Sequence, residues 1–384
     1  MPVTVSGVQY SGIWTMQQVN SAISAGTWPV PPGPALFGWG RNNNGQLGLG
    51  NITNYSSPKQ VGALINWLVI ASGYNSSSAV KTDGTLWTWG SNASGQLGLG
   101  NTTSYSSPKQ VGSLTGWSAV SSFRNNVIAI KTNGSLWSWG DNTYGDLGLG
   151  NTTNYSSPKQ IGALTDWLIG KAGQYFSVAI KTNGTLWSWG LNAVGQLGLN
   201  NRTSYSSPKQ VGALTNWLTV IGGGYHCLAI KTDGTLWSWG QNTRGQLGLV
   251  NRTNYSSPKQ VGSLTTWATL FAGENLSGAI TTGGALWMWG INNNGQLGLG
   301  NTTYYSSPKQ VGSLTNWSKA TTGNSTSAIK TDGTLWTWGY NVLGSLGLGN
   351  ITNYSSPKQV GYLTTWTSVS GSSLGYAQLA IALK

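Results

Sequence analysis

The pattern of apolar and polar residues repeats along most of this chain, because one short alternating segment recurs in it. The most regular copy, residues 179–190, reads Ala-Ile-Lys-Thr-Asn-Gly-Thr-Leu-Trp-Ser-Trp-Gly. The alternating runs on both sides of Asn183-Gly184 predict two β-strands joined by a tight turn of the primed type. Six complete hairpins of this kind follow one another, and a seventh is divided between residues 35–40 and 379–384.

Trp-Gly pairs mark the period of the repeat. They begin at Trp39, Trp89, Trp139, Trp189, Trp239, Trp289 and Trp338, so five intervals are 50 residues long and one is 49. In Leu186-Trp187-Ser188-Trp189, strand alternation places both tryptophan side chains on one face of the strand. A single unit cannot cover that aromatic face, so neighbouring units must stack on one another.

Two unpaired strands at the ends of the array predict how it closes. Seven Trp-Gly strands and seven Ala-Ile strands are present, but only six turns join them. If residues 35–40 pair with residues 379–384, the array forms a ring and leaves no open strand edge. Radial closure with about four short strands per unit is the architecture of a β-propeller. We therefore predict an all-β fold, a seven-bladed β-propeller over residues 35–384 that is closed by its terminal strands.

Residues 1–34 lie outside the repeats and are interpreted as a short N-terminal attachment segment. A cap at Thr15 and a stop at Gly26 predict a short helix, which a stiff proline-rich run at residues 29–34 follows. A helix of about ten residues is marginal by itself, so we expect it to dock on another surface. The candidate attachment residues are Trp14, Met16, Val19, Ile23 and Trp28.

The net charge of +13 raises the question of a polyanionic partner. Much of this charge comes from one lysine per unit, namely Lys59, Lys109, Lys159, Lys209, Lys259, Lys309 and Lys358. A ring of these lysines facing a polyanion is one interpretation. We favour the other, in which a copied lysine keeps strand edges soluble, and nucleic acid is then not the expected partner. No apolar run approaches the roughly 20 residues of a membrane span.

The chain offers little catalytic chemistry. Of its seven acidic residues, only Asp141, Asp146, Asp166 and Glu274 lie outside the hairpin turns. These four are the only candidates for the carboxylates of a polysaccharide lyase or glycosidase. His226 and Cys227 are adjacent in a strand, so their side chains face opposite ways and form neither a nucleophile pair nor a metal site. We therefore predict a protein that is not an enzyme and that has no metal and no cofactor.

Two short windows vary among otherwise near-identical units. One follows Trp-Gly, and the other precedes the Ala-Ile strand. Loops at one end of a rigid scaffold commonly carry recognition, although neutral drift at unconstrained turns would give the same pattern. The candidate binding residues are Arg41, Asn43, Asn44, Asp141, Tyr144, Arg244 and Tyr340.

The repeat unit resembles a known family. The pattern Leu-Trp-Ser-Trp-Gly-x-Asn-x-x-Gly-Gln-Leu-Gly-Leu-Gly, followed by Pro58 to Val61 in the first unit, is similar to the regulator of chromosome condensation repeat. The resemblance covers the whole repeat array and implies a seven-bladed propeller closed by pairing of the terminal strands. A Gly-x-x-His element that is usual in the family is approached only around His226.

The N-terminal segment leads to the main functional hypothesis. Ser-Gly-Ile-Trp and the following Ala-Ile-Ser-Ala-Gly-Thr-Trp-Pro resemble short leaders of bacteriophage tail and other virion proteins. We therefore expect a virion protein that attaches to other virion proteins through residues 1–34 and displays the propeller to a host-surface glycan or protein. The alternative is an intracellular, cytoplasmic scaffold for protein interaction or guanine-nucleotide exchange, like eukaryotic members of the family.

Overall fold

The computed structural model describes residues 3–5, 8–10, 33–371 and 377–383, which form 30 β-strands. Strands β1 (Val3–Val5) and β2 (Val8–Tyr10) pair with each other. The remaining 28 strands form seven sheets of four antiparallel strands, and the described residues contain no helix. The predicted all-β propeller with seven blades is thus confirmed.

Each blade has the same order of strands from the central channel outwards. The first strands are β5 (Trp67–Ser72), β9 (Trp117–Ser122), β13 (Trp167–Gly173), β17 (Trp217–Gly222), β21 (Trp267–Ala272), β25 (Trp317–Thr322) and β29 (Trp366–Gly371). The second strands are β6 (Ser76–Lys81), β10 (Asn126–Lys131), β14 (Phe176–Lys181), β18 (His226–Lys231), β22 (Leu276–Thr281), β26 (Ser325–Lys330) and β30 (Ala377–Leu383). The third strands are β3 (Pro34–Gly40), β7 (Leu86–Gly90), β11 (Leu136–Gly140), β15 (Leu186–Gly190), β19 (Leu236–Gly240), β23 (Leu286–Gly290) and β27 (Leu335–Gly339). The outer strands are β4 (Tyr55–Gln60), β8 (Tyr105–Gln110), β12 (Tyr155–Gln160), β16 (Tyr205–Gln210), β20 (Tyr255–Gln260), β24 (Tyr305–Gln310) and β28 (Tyr354–Gln359).

The blade that contains both ends of the array closes the ring. Its strand order is β29-β30-β3-β4, so the chain supplies two strands from each end. The register of β3 with β30 runs from Pro34 opposite Leu383 to Gly40 opposite Ala377. This pairing confirms the closure that the count of strands and turns predicts.

The turn between the second and third strands differs from the predicted primed type. The Gly184 N–H donates to the Lys181 carbonyl oxygen (2.9 Å), and the Lys181 N–H donates to the Thr185 carbonyl oxygen (3.0 Å). Of the three loop residues 182–184, only Gly184 has a positive φ (75°), whereas a type I′ turn requires two such residues. The loop is therefore a type I turn completed by a left-handed glycine, and the primed assignment is wrong.

Tryptophan packing forms the core between neighbouring blades, since Trp217 and Trp239 of the fifth blade belong to one buried cluster with Phe176 and Ile180 of the fourth. In the fifth blade, Trp237 and Trp239 both pack edge-on against Trp217, with ring centroids 6.1 and 6.2 Å away. Both tryptophan side chains of the Leu-Trp-Ser-Trp strand therefore lie on one face of the strand, as predicted. The other blades repeat this group of three rings, with Phe37 in the place of one tryptophan in the closing blade.

A second tryptophan contact joins each blade to the one before it. The indole N–H of Trp239 donates to the Gln196 carbonyl oxygen in the preceding blade (3.0 Å). The same bond recurs at all seven Trp-Gly pairs. Gly198 lies against this indole with φ 73°, and a Cβ there would be 2.8 Å from Trp239 Nε1. The Gly-Gln-Leu-Gly segment is therefore the part of the repeat that locks neighbouring blades together.

Most of the N-terminal segment lies outside the described residues. The predicted short helix and the attachment residues Trp14, Met16, Val19, Ile23 and Trp28 fall in that part of the chain. The propeller strands themselves run from Pro34 to Leu383. Across the ranges that are described, there is no helix with the length and hydropathy needed to cross a membrane.

Candidate binding face

The two variable windows meet on one face of the propeller, which we call the variable face. It carries the loops between first and second strands and the loops that follow each Trp-Gly pair. Main-chain bonds hold the two windows of each blade together, as between Gln241 N–H and the Tyr225 carbonyl oxygen (2.8 Å). The hairpin turns, such as residues 182–185, lie on the opposite face, which we call the hairpin face.

A buried asparagine fixes the shape of the first window. Asn192 Oδ1 accepts from the Leu197 N–H (3.0 Å), and its Nδ2 donates to the carbonyl oxygens of Asn201 (3.1 Å) and Thr203 (3.0 Å). Equivalent asparagines in the other six blades are also fully buried. The window is therefore a rigid loop in which the residues around this asparagine are free to vary.

The predicted binding residues all lie in these loops of the variable face, but they are distributed around the ring. Arg41 packs over the ring of Tyr74 (5.9 Å), and Arg244 packs over the ring of Tyr304 (6.0 Å), each in the following blade. Asp141 is held locally, because its Oδ1 accepts from the Thr143 N–H (3.1 Å) and hydroxyl (2.6 Å). The others are exposed or half-buried: Asn43, Asn44, Tyr144 and Tyr340.

One of these residues belongs to a compact cluster of aromatic and charged side chains. Tyr144 is 41% exposed, and its ring lies 5.0 Å from the ring of Tyr175 in the next blade. The Arg124 guanidinium packs over the Tyr175 ring (5.2 Å) and donates to its hydroxyl (2.5 Å). These three residues form the centre of what we call the aromatic–arginine cluster.

The cluster extends into the fifth and sixth blades. Gln174 Nε2 donates to the Tyr225 hydroxyl (2.9 Å). Burial raises the pKa of Tyr225, Tyr175 and Glu274 raise it further, and Arg124 lowers it. Glu274 of the sixth blade lies beside the same loop, since a Cβ at Gly224 would be 3.0 Å from its Cγ. With Tyr144, the cluster thus combines three tyrosines, one arginine, one glutamine and one carboxylate.

Tyr175 has a backbone conformation that is unusual for its side chain. Its φ is +65°, in the left-handed region that a bulky residue seldom adopts. Such strain costs roughly 1–2 kcal/mol and is concentrated at functional sites in folded proteins. Asn200 and Val250 also have positive φ (59° and 65°), at a position where the other five units have glycine. The conformation of Tyr175 therefore does not by itself assign a role to the cluster.

Sequence reasoning missed Arg124, Gln174, Tyr175 and Tyr225. All four lie in the second variable window, just before the Ala-Ile strand. Comparison of the units marks that window as variable but singles out no residue in it. The signal that could have found them is the change from Tyr74-Asn75 in one unit to Arg124-Asn125 and Gln174-Tyr175 at the equivalent positions of the next two units.

The four candidate carboxylates do not converge. Asp166 lies on the hairpin face, where its Oδ2 is 3.3 Å from Lys181 Nζ. Asp146 is buried in the place that glutamine has in five other blades, and burial raises its pKa to about 7, with a further contribution from Asp141. In the part of the chain that the structure describes, no three His, Cys, Asp or Glu side chains are grouped so that they could hold a metal ion.

His226 and Cys227 have structural contacts on opposite sides of their strand, as predicted. His226 Nε2 lies 2.8 Å from the Ser277 hydroxyl, which in turn donates to the Gln246 carbonyl oxygen. Nε2 must therefore carry the proton, and burial lowers the pKa of His226 to about 3. The Cys227 thiol donates to the Gln196 carbonyl oxygen (3.4 Å), the role that the Ser277 hydroxyl has in the next blade.

The seven lysines of the predicted basic ring lie on the seven outer strands. Each ammonium packs over the tyrosine four residues earlier, as Lys59 does over the Tyr55 ring (5.6 Å). A different set of lysines is inserted between tryptophans on the hairpin face. Lys231 Nζ lies 3.7 Å from the Trp237 ring centroid and 5.0 Å from that of Trp217, and burial lowers its pKa. The ring on the outer strands is therefore the more accessible of the two.

The fold and this face define a class of protein, a seven-bladed propeller of tandem repeats whose variable loops lie on one face. The model of the regulator of chromosome condensation (RCC1) repeat matches residues 35–80, 83–130, 133–180, 183–230, 233–280, 283–329 and 332–374. The chain therefore belongs to the regulator of chromosome condensation (RCC1) repeat family. No curated protein matches its sequence significantly. The resemblance of residues 1–34 to bacteriophage leaders is not shown by these comparisons.

Solved structures share the fold at low sequence identity. Human WBSCR16 is 22% identical, with a TM-score of 0.82 over 92% of this chain and 99% of the human one. Yeast RCC1 (Prp20), solved with Kap60 bound, is 20% identical, with a TM-score of 0.82 over 92% and 90% of the two chains. Prp20p from Saccharomyces cerevisiae, described with its binding properties to Gsp1p and histones, is 19% identical, with a TM-score of 0.81 over 92% of each chain.

Proposed function

We propose that this chain is a non-enzymatic scaffold that binds a partner protein through the variable face. The observation that carries the proposal is the aromatic–arginine cluster, in which Tyr144, Tyr175 and Arg124 contact one another across a blade boundary. Tyrosine and arginine dominate the binding energy of protein interfaces. Because rigid strands hold the loops, little conformational entropy would be lost on binding.

Two variants and a matched control test this proposal. Arg124→Ala and Tyr144→Ala each remove a side chain of the cluster, and Leu164→Ala removes a 51%-exposed side chain on the hairpin face. Partners captured by the wild-type chain and by Leu164→Ala should bind each cluster variant more weakly, by about 2 kcal/mol or more. If the wild type and the three variants retain the captured partners equally well, the variable face is not the surface that binds them.

Guanine-nucleotide exchange is a narrower candidate within the same proposal. Prp20p, which shares the fold, is described together with its binding to the protein Gsp1p. The assay is release of a fluorescent guanine nucleotide from a small GTPase with and without this chain. Acceleration that Arg124→Ala reduces and Leu164→Ala preserves would assign exchange activity to the variable face. If the chain does not change the rate of nucleotide release, the proposal is limited to binding of a partner protein without exchange activity.

Attachment to a bacteriophage particle remains a prediction about residues 1–34. It would make the propeller a surface module of a virion, with the variable face directed to a host-surface glycan or protein. The test is deletion of residues 1–32, which leaves β3 intact. The full chain should be found on purified particles and the deleted chain should not.

A further inference from the structure

The seven first strands surround a central channel that contains a polar cavity of about 140 Å³. The cavity lies where these strands approach the loops of the variable face. Hydroxyl side chains from several blades contribute to its wall, among them Ser72, Ser121, Thr321 and Ser370. Since a water molecule takes up about 30 Å³ in the liquid, the cavity has room for about five waters.

Lys171 brings a positive charge into this wall. It is the fifth residue of β13, and the equivalent residues of the other first strands are Ala71, Ser121, Ile221, Phe271, Thr321 and Ser370. None of the described residues that line the cavity is acidic. Among the described residues, no hydrogen bond or ion pair holds the Lys171 ammonium, and burial alone lowers its pKa. The charge therefore lacks a counter-ion within this part of the structure.

Two hydroxyl groups in the wall each accept a main-chain hydrogen bond and still have their own proton to donate. Ser121 Oγ already accepts from the Ala172 N–H (3.2 Å), directly beside Lys171 in sequence. Thr321 Oγ1 accepts from the Gly371 N–H (3.1 Å) in the same way. Because each oxygen has accepted a main-chain proton, its own hydroxyl proton remains to be donated. The wall thus offers one cation and two hydroxyl donors.

The Lys171 side chain is half-buried in this wall. Partial removal of a charged group from water costs free energy, which an opposite charge and hydrogen bonds offset. The wall supplies hydroxyl groups and no carboxylate, so the opposite charge would have to come from an anion in solution. We propose that the channel binds a small oxyanion, a phosphate or a carboxylate, with Lys171 as its counter-charge and the hydroxyl of Ser121, in the neighbouring blade, as a further donor. The site is independent of the partner surface, because the cluster of Arg124, Tyr144 and Tyr175 is formed by other side chains.

The test is titration of the full chain with inorganic phosphate and, separately, with acetate. Calorimetry measures affinity, and the side-chain NMR signals of labelled lysines report which lysine responds. Phosphate should shift the Lys171 signal saturably and raise the pKa of its ammonium. Lys171→Met should weaken phosphate binding at least about tenfold, because a hydrogen bond to a charged group contributes that much. Binding of acetate as well would show that a single carboxylate suffices.

Lys209→Met is the matched control, because Lys209 lies on the exposed outer strand of the same blade. It should bind phosphate as the wild type does. If Lys171→Met does not fold, Lys171→Thr is the second variant, because threonine already occupies the equivalent position at Thr321. Equal phosphate affinity in wild type and Lys171 variants, or no saturable response of Lys171 to either anion, would overturn the proposal. Neither result bears on capture of a protein partner by the variable face.

Discussion

The indole N–H of Trp39 in the closing blade donates to the main-chain carbonyl oxygen of Ser345 in the preceding blade, at 3.0 Å. The two residues are 306 positions apart in sequence, so this bond can form only when the ring is closed. Together with the pairing of β3 and β30, it fastens the first and last parts of the array. Closure therefore uses the same contact that joins every other pair of blades.

Loss of the hydrogen bond between Trp39 and Ser345 should lower the free energy of unfolding more than loss of the equivalent bond between two other blades. Between the third and fourth blades, the Asp146 carbonyl oxygen accepts from the Trp189 indole (3.0 Å) and also from the Ser177 hydroxyl (2.8 Å). At the closure, Gln378 stands where Ser177 stands, and its amide donates to the Ser325 hydroxyl instead. We expect Trp39→Phe to be less stable than Trp189→Phe by about 1 kcal/mol, as measured by urea unfolding. Equal losses would show that closure does not depend on this bond.

Two glycines with similar backbone conformations should respond differently to alanine. Gly212 has φ 62° with open space where a Cβ would be, so Gly212→Ala should cost only about 1 kcal/mol of backbone strain. Gly198 has φ 73° and lies against the Trp239 indole, so Gly198→Ala should cost roughly 1–3 kcal/mol more. The comparison of the two unfolding free energies isolates the contact between blades. A similar cost at both positions would mean that the indole can move aside.

Asp146 should make stability depend on pH. Its pKa is raised from the ordinary 3.8 to about 7 because the charged form is buried, so the unfolded chain ionises first. The wild type should lose stability relative to Asp146→Gln as pH rises from about 4 to 7, by on the order of 1.4 kcal/mol per pH unit. Above pH 7 the difference should be constant. Urea unfolding at pH 4.5 and 8 checks this, and a difference that does not change with pH would contradict it.

His226 should make stability depend on pH in the opposite direction, so that stability is lost as the pH falls. Burial lowers its pKa from 6.5 to about 3, so the unfolded chain binds a proton that the folded chain does not. The wild type should therefore lose stability relative to His226→Leu as pH falls below about 6.5. Leucine is the matched replacement, since Leu276 holds the equivalent buried position in the next blade. Parallel pH profiles of the two proteins would show that folding does not lower the pKa of His226.

The fold could be predicted because its signals are repeated seven times. The period of Trp-Gly pairs gave the number of blades, and the two unpaired strands gave the closure. The turn type could not be predicted from Asn183-Gly184, since the pair is compatible both with a primed turn and with a type I turn followed by a left-handed glycine. The side chain of Asn183, which accepts from the Thr185 N–H (3.1 Å) and hydroxyl (2.7 Å), accompanies the second form.

The candidate site could be predicted only in part. Variation among the repeats identified the two windows, and the structure places both on one face. The cluster itself depends on contacts between blades, as when Tyr144 of one blade meets Tyr175 of the next. Residues 31 positions apart in sequence become neighbours through the stacking of blades, and no local pattern records that. Lys171 could not be identified from the sequence for the same reason. Its role depends on the cavity wall, to which the other six blades contribute residues.

Recognition through the variable face is the central claim, and hydrogen exchange tests it most directly. Exchange should be measured on the full chain alone and in complex with a captured partner. Binding through the variable face should slow exchange in the loops at residues 123–125, 141–145, 173–175 and 223–225. Protection confined to the hairpin turns at residues 132–135, 182–185 and 232–235 would contradict the account.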